Sequence, residues 1–590
     1  MVPLRLAWLF TKPYWRHYAV GFLAILGASF LVMFPPLILG RAIDELRDGA
    51  SGGEGPSTGR LLSFGAVILV LAAFEGFLRF GSRLLVSGTS RRVEYDIRLA
   101  LAAHLMKLDQ AFFLRSQTGD LMARCTNDLQ MVRDVVGPTL IDLLRTTLML
   151  IFGFIFLLTI NVRLALFAYA YFPIVAVAIA ACSTVVEARY RAVQDQFGVL
   201  ATHVQENVSG VRTVKAYAQE DTEVGTFERA NGEMLRRSMA WTYWTSALWP
   251  LMIVGTGASS LLVLWFGGHD VAAGRMTLGE FVQFNAYLVL LANPLTSLGW
   301  TATALQAGVA SLRRIVEVLG TTPTIEGGVT PIEAVRGDLS FRDVSFSYGG
   351  KPVLDHFSLD VPAGSVVALV GVTGSGKSTV VNLLGRLWDP EAGSIHLDGH
   401  DLRELPLDLV RASVGVVPQE TFLFSDSLRE NIAYGHAAPS VAEMQFAVET
   451  SQLSNDFPQL TFGLETIIGE RGVTLSGGQK QRTAIARAII KAPPILVLDD
   501  ALSHVDTRTE EEILRRLRGF MAGRTTLLIA HRTSTVAAAD RIVVLERGRI
   551  VESGSHDELL SLGEVYARFY RCQLLVEQLG VDVEDEEVTP

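Results

Sequence analysis

The 590-residue sequence contains few cysteines, and they follow no regular spacing. Cys125, Cys182 and Cys572 lie far apart and match no metal-ligand spacing, so the sequence supports neither a disulfide framework nor a zinc site. No basic stripe with interleaved aromatic residues occurs, and the net charge is −10, so no nucleic-acid partner is expected. A cleavable signal peptide is not expected either, because the first apolar run is too long and further apolar runs follow it.

Hydrophobic residues make up 49% of the chain, and their excess is concentrated before residue 320. Apolar stretches long enough to cross a bilayer recur near residues 18–40, 62–86, 140–160, 163–183, 247–267 and 279–300. Residues 1–17 mix Trp, Leu and Phe with Arg and Lys, which predicts an elbow helix on the membrane surface. We therefore expect a multi-pass α-helical domain over residues 18–319, in contact with the lipid bilayer.

The connections after the second and fourth spans are long, helix-forming and rich in arginine and lysine. This charge excess places them in the cytoplasm. Each connection is best explained as two membrane helices that continue past the bilayer by about 25 residues, or roughly 35 Å, and then turn. The expected tips are residues 113–119 and 206–212, where a short transverse helix could contact a cytoplasmic domain; the alternative is a simple helical turn.

Two charged residues, Glu75 and Arg79, fall inside the second span, four positions apart and so on one helix face. Ionisable residues at membrane depth suggest function. An internal ion pair and a place in a solute pathway both explain them. Gln283, Asn285 and Pro294 in the sixth span are weaker candidates of the same kind.

The chain changes character after residue 319. Residues 320–337 are polar and rich in turn-forming residues, which indicates a linker. From 338 to 575, β-type runs alternate with helical patterns and predict an α/β domain with a mainly parallel sheet and an antiparallel flank. Residues 576–590 form an acidic tail, which we expect to be solvated.

A phosphate-binding loop is the clearest motif of this domain. The G-x-x-x-x-G-K-S pattern lies between the buried strand pattern Val366–Val370 and a helical one, as a P-loop requires. Its backbone amides and Lys377 are expected to hold the phosphates of a nucleotide, while Ser378 and Asp499, which ends the run Ile495–Asp499, are expected to bind Mg²⁺. The assigned loop residues are Gly371, Thr373, Gly374, Ser375, Gly376, Lys377, Ser378 and Thr379. Tyr348 is a candidate to stack on the base.

Further motifs make the resemblance specific. The run Leu475-Ser476-Gly477-Gly478-Gln479 between the loop and Asp499 resembles the signature of ABC transporter ATPases. Gln419 resembles the glutamine loop of that family, His531 its switch histidine, and Ser503 to Asp506 its D-loop. With six spans ahead of one such domain, the whole chain is similar to an ABC exporter half-transporter.

This resemblance implies a function. Two half-transporters would pair in a cell membrane, with the ATPase domains in the cytoplasm and two ATP molecules sandwiched between them. Ser476, Gly477, Gly478 and Gln479 would contact the ATP of the partner, Gln419 would serve the Mg²⁺, and His531 would contact the γ-phosphate. ATP binding and hydrolysis would drive export of an amphipathic drug, lipid or peptide.

One departure from the family pattern changes the expectation. The family usually has a catalytic glutamate after the magnesium aspartate, whereas this chain has Asp500. Its carboxylate is one methylene, about 1.5 Å, shorter in reach. The D-loop also departs, with His504 and Val505 in place of Ala and Leu. The sequence therefore resembles the degenerate-site member of a heterodimeric exporter. A homodimer that uses Asp500 as base and a membrane protein that uses ATP as a gate are the alternatives.

Overall fold

The computed structural model describes residues 8–51, 58–330, 332–469, 472, 475–503, 507–530 and 532–579, with the backbone alone over parts of the helices near 171–181, 248–256 and 292–298. The chain divides into two compact units. One holds residues up to Met106 together with Thr118–Thr321, and the other holds Lys107–Gln117 together with the residues from Thr322 onward. The predicted boundaries at 319 and 337 stay predictions, as do the elbow and the tail.

The described residues of the first unit are almost entirely helical, as predicted. Along the chain up to residue 321 the α-helices are α1 (Trp15–Leu31), α2 (Phe34–Ser51), α3 (Thr58–Leu105), α4 (Gln110–Arg115), α5 (Thr118–Ala123), α6 (Leu129–Asp134), α7 (Leu140–Ile160), α8 (Val162–Ser209), α9 (Val211–Ala216), α10 (Glu220–Ala272) and α11 (Leu278–Leu319). All six predicted spans are helical. Over the described residues, the stretches Trp8–Asp48, Thr58–Leu105 and Thr118–Ile160 are long and apolar enough to cross a membrane.

The first predicted span is interrupted. Helix α1 ends at Leu31 and α2 starts at Phe34, followed directly by Pro35 and Pro36. Proline is tolerated in the first turn of a helix because its missing N–H has no helical partner there. The Met33 carbonyl at the break accepts a hydrogen bond of 2.6 Å from the Tyr287 hydroxyl of α11. Such a partner is needed where backbone groups leave a helix inside a bilayer.

The long helices extend beyond the predicted spans and turn at short helices. Helix α3 continues from the second span to Leu105, and α4 then begins at a cap in which the Asp109 side chain accepts from Phe112 N. The second tip is the six-residue α9 after Gly210. Asp109 also accepts a 3.0 Å hydrogen bond from Thr324 N, so the first tip contacts the segment that follows α11 within the second unit.

The second unit contains two sheets. Its strands are β1 (Leu339–Tyr348), β2 (Lys351–Val361), β3 (Val366–Val370), β4 (Ala392–Leu397), β5 (His400–Asp401), β6 (Val414–Val417), β7 (Ile495–Asp499), β8 (Thr525–Ile529), β9 (Arg541–Glu546) and β10 (Arg549–Gly554). The antiparallel sheet has the order β2-β1-β4-β5, and the larger one has the order β10-β9-β3-β8-β7-β6. All neighbours in the larger sheet pair in parallel except β9 and β10. The predicted parallel core and antiparallel flank are confirmed.

Helices cover the sheets and complete the cores. They are α12 (Lys377–Leu384), α13 (Leu407–Ser413), α14 (Leu428–Ala433), α15 (Val441–Thr450), α16 (Gly477–Ile490), α17 (Thr507–Met521), α18 (Thr533–Val536), α19 (His556–Leu562) and α20 (Val565–Leu579). Strands β3, β7 and β8 are almost wholly buried, as expected for a parallel sheet covered on both faces. One apolar cluster lies beside α16 and α17, and another fills the space between the two sheets.

Candidate ATP site and comparison with known proteins

The predicted nucleotide residues follow the carboxyl ends of neighbouring parallel strands. Leu369 of β3 pairs with Ile529 of β8, and Ile529 pairs with Asp499 at the end of β7. Strand β6 lies beside β7 and ends at Val417, two residues before Gln419. Parallel strands bring these ends to one sheet edge, where open α/β sheets bind ligands. The phosphate loop, Asp499 and Gln419 therefore share this edge.

Lys377 begins helix α12 and points back into its own loop. Its Nζ donates hydrogen bonds of 2.7 Å to the Gly371 carbonyl and 3.0 Å to the Val372 carbonyl. The residue is only 7% exposed. Burial lowers the pKa of Lys377, and the negative charges of Asp499 and Asp500 oppose that shift. The loop thus holds a cation whose charge is poorly hydrated and available to phosphate oxygens.

The glycines of the loop meet different constraints. Gly374 has φ +80° and Gly376 has φ +107°, conformations that glycine adopts without strain. A Cβ on Gly376 would lie 2.8 Å from Leu354 Cδ2, whereas a Cβ on Gly374 would have no protein atom within 4 Å. Gly374 and Thr373 are exposed, while Ser375 is buried. The loop therefore has an open side, where its amides can meet a phosphate, and a side packed on the protein.

Asp500 follows β7 with a left-handed backbone, at φ +47°. Aspartate tolerates this conformation better than most other non-glycine residues. Its amide donates a 2.9 Å hydrogen bond to the Ile529 carbonyl of β8. Its own carbonyl accepts from the Ser503 hydroxyl at 3.1 Å, and Ser503 also accepts from Gln481 Nε2 at 2.9 Å. The backbone of Asp500 is thus held by β8 and by Ser503 of the following turn, and Gln481 of α16 holds Ser503.

The residues around the loop fit Mg²⁺. Ser378 is exposed on the first turn of α12, Asp499 is 7% exposed at the strand end, and Gln419 is exposed on the loop after β6. Hydroxyl, carboxylate and amide oxygens are the ligands that Mg²⁺ prefers, and this ion usually adds substrate phosphates and water. A bound ion would neutralise charge on the β- and γ-phosphates.

The signature residues form the start of helix α16. The Ser476 hydroxyl accepts from Gln479 N at 3.3 Å, and Gln479 Oε1 accepts from Ser476 N at 3.0 Å, which is a capping box. Ser476 and Gly477 are exposed, so the positive end of a 14-residue helix is presented at the surface. Gln479 is buried, and its Nε2 lies 3.4 Å from Asp456 Oδ1. Its side chain supports the helix start instead of facing outward.

Of the remaining predicted site residues, the structure describes Tyr348 but not His531. Tyr348 is half-buried, and its ring makes edge contacts with Phe346 and Trp388 at centroid distances of 4.8 and 5.4 Å. Its hydroxyl accepts a 3.2 Å hydrogen bond from Asn382, so the ring is held in place. His531 and the D-loop residues 504–506 lie outside the described residues.

One network was not identified from the sequence. Glu510 of α17 is 2% exposed and forms an ion pair with Arg532, and it accepts a 2.8 Å hydrogen bond from the Thr535 hydroxyl. These residues line a cavity of about 120 Å³ together with Asp500 and Ser503. A glutamate in the charged run TRTEEE gives no sign of burial, and only the proximity of Arg532 to His531 in the sequence could have indicated the network.

In the membrane unit, Glu75 and Arg79 form an ion pair across one helical turn. They line a small cavity together with Arg83 of α3, Asp142 and Arg145 of α7, and Ser29 of α1. The Ser29 hydroxyl is buried and has no hydrogen-bond partner among the described residues. Three guanidinium groups thus lie near two carboxylates. Gln283 is buried, and the Asn285 amide donates to the carbonyl of Phe281 one turn earlier; of Pro294, only the backbone is described.

Comparison with known proteins follows the same division of the chain. Residues 18–295 match the family model for the ABC transporter transmembrane region, and residues 354–503 match the ABC transporter model. A probable multidrug resistance ABC transporter ATP-binding/permease protein of Bacillus subtilis is 36% identical over 579 residues, which cover 97% of each chain.

Two further similarities extend this result. An ATP-dependent lipid A-core flippase of Syntrophus aciditrophicus is 34% identical over 518 residues, covering 88% of this chain and 86% of the flippase. The solved structure of a bacterial Atm1-family ABC exporter with ATP bound superposes with a TM-score of 0.78 at 27% identity, covering 95% of this chain and 99% of the other. The similarity therefore includes both the membrane helices and the ATPase domain.

Proposed function

Because this chain belongs to the ABC exporter family, with its membrane helices and its ATPase domain in one polypeptide, we propose that it acts as one half of a heterodimeric exporter of an amphipathic substrate. ATP hydrolysis by the ATPase domain drives transport in this family. The partner would be a second half-transporter that keeps the catalytic glutamate. The assembly would lie in a cell membrane with its ATPase domains in the cytoplasm.

The proposed roles follow from the site. The loop amides from Gly371 to Thr379 and the Lys377 ammonium hold the phosphates of ATP, and Tyr348 stacks on the base. Ser378, Asp499 and Gln419 hold Mg²⁺. His531 contacts the γ-phosphate and Asp500 acts as a displaced base. Ser476, Gly477 and Gly478 at the start of α16 contact the ATP held by the partner, with Gln479 supporting that helix start.

The single observation that carries the heterodimer is Asp500. Its backbone is fixed by the bond from its amide to Ile529 and by the bond that its carbonyl accepts from Ser503. The backbone is therefore not free to move forward and offset the missing methylene. General-base catalysis contributes about 10²- to 10⁴-fold to a reaction rate, and a base about 1.5 Å too far away loses much of that contribution. The ATP held by this loop would be hydrolysed slowly.

The nucleotide that stays bound to the chain tests this proposal. Full-length protein in lipid nanodiscs is incubated with α-labelled ATP and Mg²⁺, free nucleotide is removed rapidly, and the bound nucleotide is identified. We expect mostly ATP on the wild type and mostly ADP on Asp500→Glu, because the longer side chain restores the reach of the base. Asp500→Asn has the same length without the basic carboxylate and is the matched control. If the wild type converts its bound ATP to ADP as fast as Asp500→Glu does, the result would instead support a homodimer that uses Asp500.

The charged cavity in the membrane unit supports a substrate that carries an acidic group. Arg79, Arg83 and Arg145 exceed the neighbouring carboxylates by one charge, and the Ser29 hydroxyl offers a donor. Ionisable groups at membrane depth are costly to keep without a partner. The cavity, of about 30 Å³, is too small to enclose a head group, so the anionic head of an amphiphile would lie against the side of this cluster and supply the missing negative charge from there. The similarity to a lipid A-core flippase agrees with such a substrate.

Transport into vesicles tests the direction and the substrate together. The probes are fluorescently labelled phosphatidylglycerol, which is anionic, and phosphatidylcholine with the same acyl chains, which is zwitterionic. Asp500→Glu protein is used so that transport does not depend on the partner. We expect ATP-dependent movement of the anionic probe beyond its equilibrium distribution, and a reduced preference in Arg145→Gln. Movement that only equilibrates the probes would support an ATP-gated pathway instead.

A further inference from the structure

Glu510 carries a charge into an otherwise apolar part of the ATPase domain. It lies in the first turns of α17 and is 2% exposed. The cavity that it lines, of about 120 Å³, has walls formed largely by aliphatic side chains, including Ile485, Leu498 and Leu517. A carboxylate in such surroundings stays ionised only if its oxygens are paired. The partners of Glu510 therefore decide what the residue does.

Both oxygens of Glu510 are used, and both bind the same short segment. Oε2 pairs with the guanidinium of Arg532, and Oε1 accepts a 2.8 Å hydrogen bond from the Thr535 hydroxyl. Thr535 is 3% exposed. The amide of Val536 in turn lies 3.3 Å from the Arg532 carbonyl. The Glu510 carboxylate thus binds both Arg532 and Thr535, at the two ends of the first turn after β8.

This segment begins at the ATP edge of the sheet. The chain leaves β8 at Ile529, whose carbonyl accepts the hydrogen bond from the Asp500 amide. Arg532 follows three residues later and is bonded directly to His531. Asp500, Arg532, Glu510 and Thr535 line one cavity. The contacts of Glu510 therefore act on the stretch that joins the strand end near Asp500 to the residue after His531.

Stability alone does not explain this ion pair. The Glu510 side chain is 3% exposed whereas that of Arg532 is 39% exposed, so chiefly the carboxylate is removed from water, at a free-energy cost that its partners must offset. The ion pair with Arg532 and the hydrogen bond from Thr535 are directional, so they restrict the position of this segment more than apolar contacts would. The arrangement is suited to holding a backbone segment in one place.

We propose that Glu510 is a positioning residue of the ATP site, which holds the chain from Arg532 to Val536 in place after β8 and thereby fixes the end of β8 beside Asp500. This inference rests on the proposed function, since it requires ATP hydrolysis at this site. Glu510 is buried and both of its oxygens are bonded within the chain, so it is not placed to bind ATP or Mg²⁺ directly. Its effect is therefore on the rate of the chemical step and not on the affinity for nucleotide.

The test compares Glu510→Gln with Glu511→Gln in the full-length chain in lipid nanodiscs. Glu511 is the next residue of the same helix and is exposed, so it is a matched control. Both variants are made in the natural chain and in Asp500→Glu, so that a weak base does not mask the effect. A displaced catalytic group costs up to about a hundredfold in rate. We expect kcat for ATP to fall about tenfold or more in Glu510→Gln, with KM changed less than about threefold.

A second measurement does not depend on activity. Hydrogen exchange of the amides between residues 532 and 536 is expected to rise in Glu510→Gln and to stay unchanged in Glu511→Gln. Equal kcat values for the two variants would overturn the positioning role, as would faster exchange without any loss of kcat. A fall of kcat with a parallel rise of KM would also overturn it, because general damage to the domain explains that result. Parent chains that do not hydrolyse ATP in either background would refute the proposed function itself, which is a separate result.

Discussion

Replacing Lys377 by methionine separates the nucleotide role of this residue from its structural role. Methionine has a similar length and no charge. The ammonium donates two hydrogen bonds to loop carbonyls, at 2.7 and 3.0 Å, and bonds to a charged group contribute about 1.5–3 kcal/mol each. Burial lowers the pKa of Lys377 and opposes these bonds; for a buried ion in a protein this cost is roughly several kcal/mol. The two effects nearly cancel, so we expect a stability change within about 1 kcal/mol in the absence of nucleotide.

When ATP is bound, the two variants are no longer equally stable, because only the lysine can pair with a phosphate. Loss of one charge-assisted contact worth about 1.5–3 kcal/mol weakens binding roughly ten- to a hundredfold. The assay is the melting temperature of the full chain in detergent, with and without ATP and Mg²⁺. We expect Lys377→Met to melt within about 4 °C of wild type without nucleotide and to lose most of the ATP-dependent rise. The exposed Lys351→Met is the control. A large loss of stability without nucleotide, or an unchanged rise with ATP, would refute this reasoning.

Two further predictions concern packing and charge. Gly376→Ala should lower the melting temperature further than Gly374→Ala, by an amount equivalent to about 2 kcal/mol, because only the Cβ at position 376 meets Leu354; equal losses would show that backbone strain alone matters. Asp128→Asn should cost about 1–2 kcal/mol, because Asp128 accepts hydrogen bonds from half-exposed Arg314 and from Ser311. Those bonds, chiefly the one from Arg314, lower the pKa of Asp128 despite its burial. The stabilisation is therefore present above the ordinary aspartate pKa and is lost as the pH falls through the lowered one, which melting curves over that range measure. The asparagine variant should lack this loss.

Much of the fold was predictable because local patterns and tertiary packing agree. The six apolar stretches are helical, and β3 and β7 occupy the predicted runs Val366–Val370 and Ile495–Asp499. The helix break at Asn161 separates the third and fourth spans, where its side chain caps α8. In each case a short sequence signal and the tertiary packing favour the same local structure.

Other features depend on distant partners and could not be predicted from the sequence. The break near Met33 is supported by Tyr287, which is 254 positions away. Gln479 belongs to a family signature, yet its side chain is buried toward Asp456. Glu510 lies among three consecutive glutamates, and only tertiary packing distinguishes it from exposed Glu511. Burial of a polar side chain is decided by what packs over it, and one-dimensional patterns do not contain that information.

The steady-state ATPase rate of the chain purified alone in lipid tests the central claim most directly. The rates of wild type, Asp500→Glu and Asp500→Ala are compared under saturating ATP and Mg²⁺. A displaced base predicts that wild type is nearly inactive and that Asp500→Glu gains about tenfold or more, since part of a 10²- to 10⁴-fold effect is restored. Wild type that turns over as fast as Asp500→Glu, with activity abolished in Asp500→Ala, would contradict the claim and identify Asp500 as the working base of a homodimer.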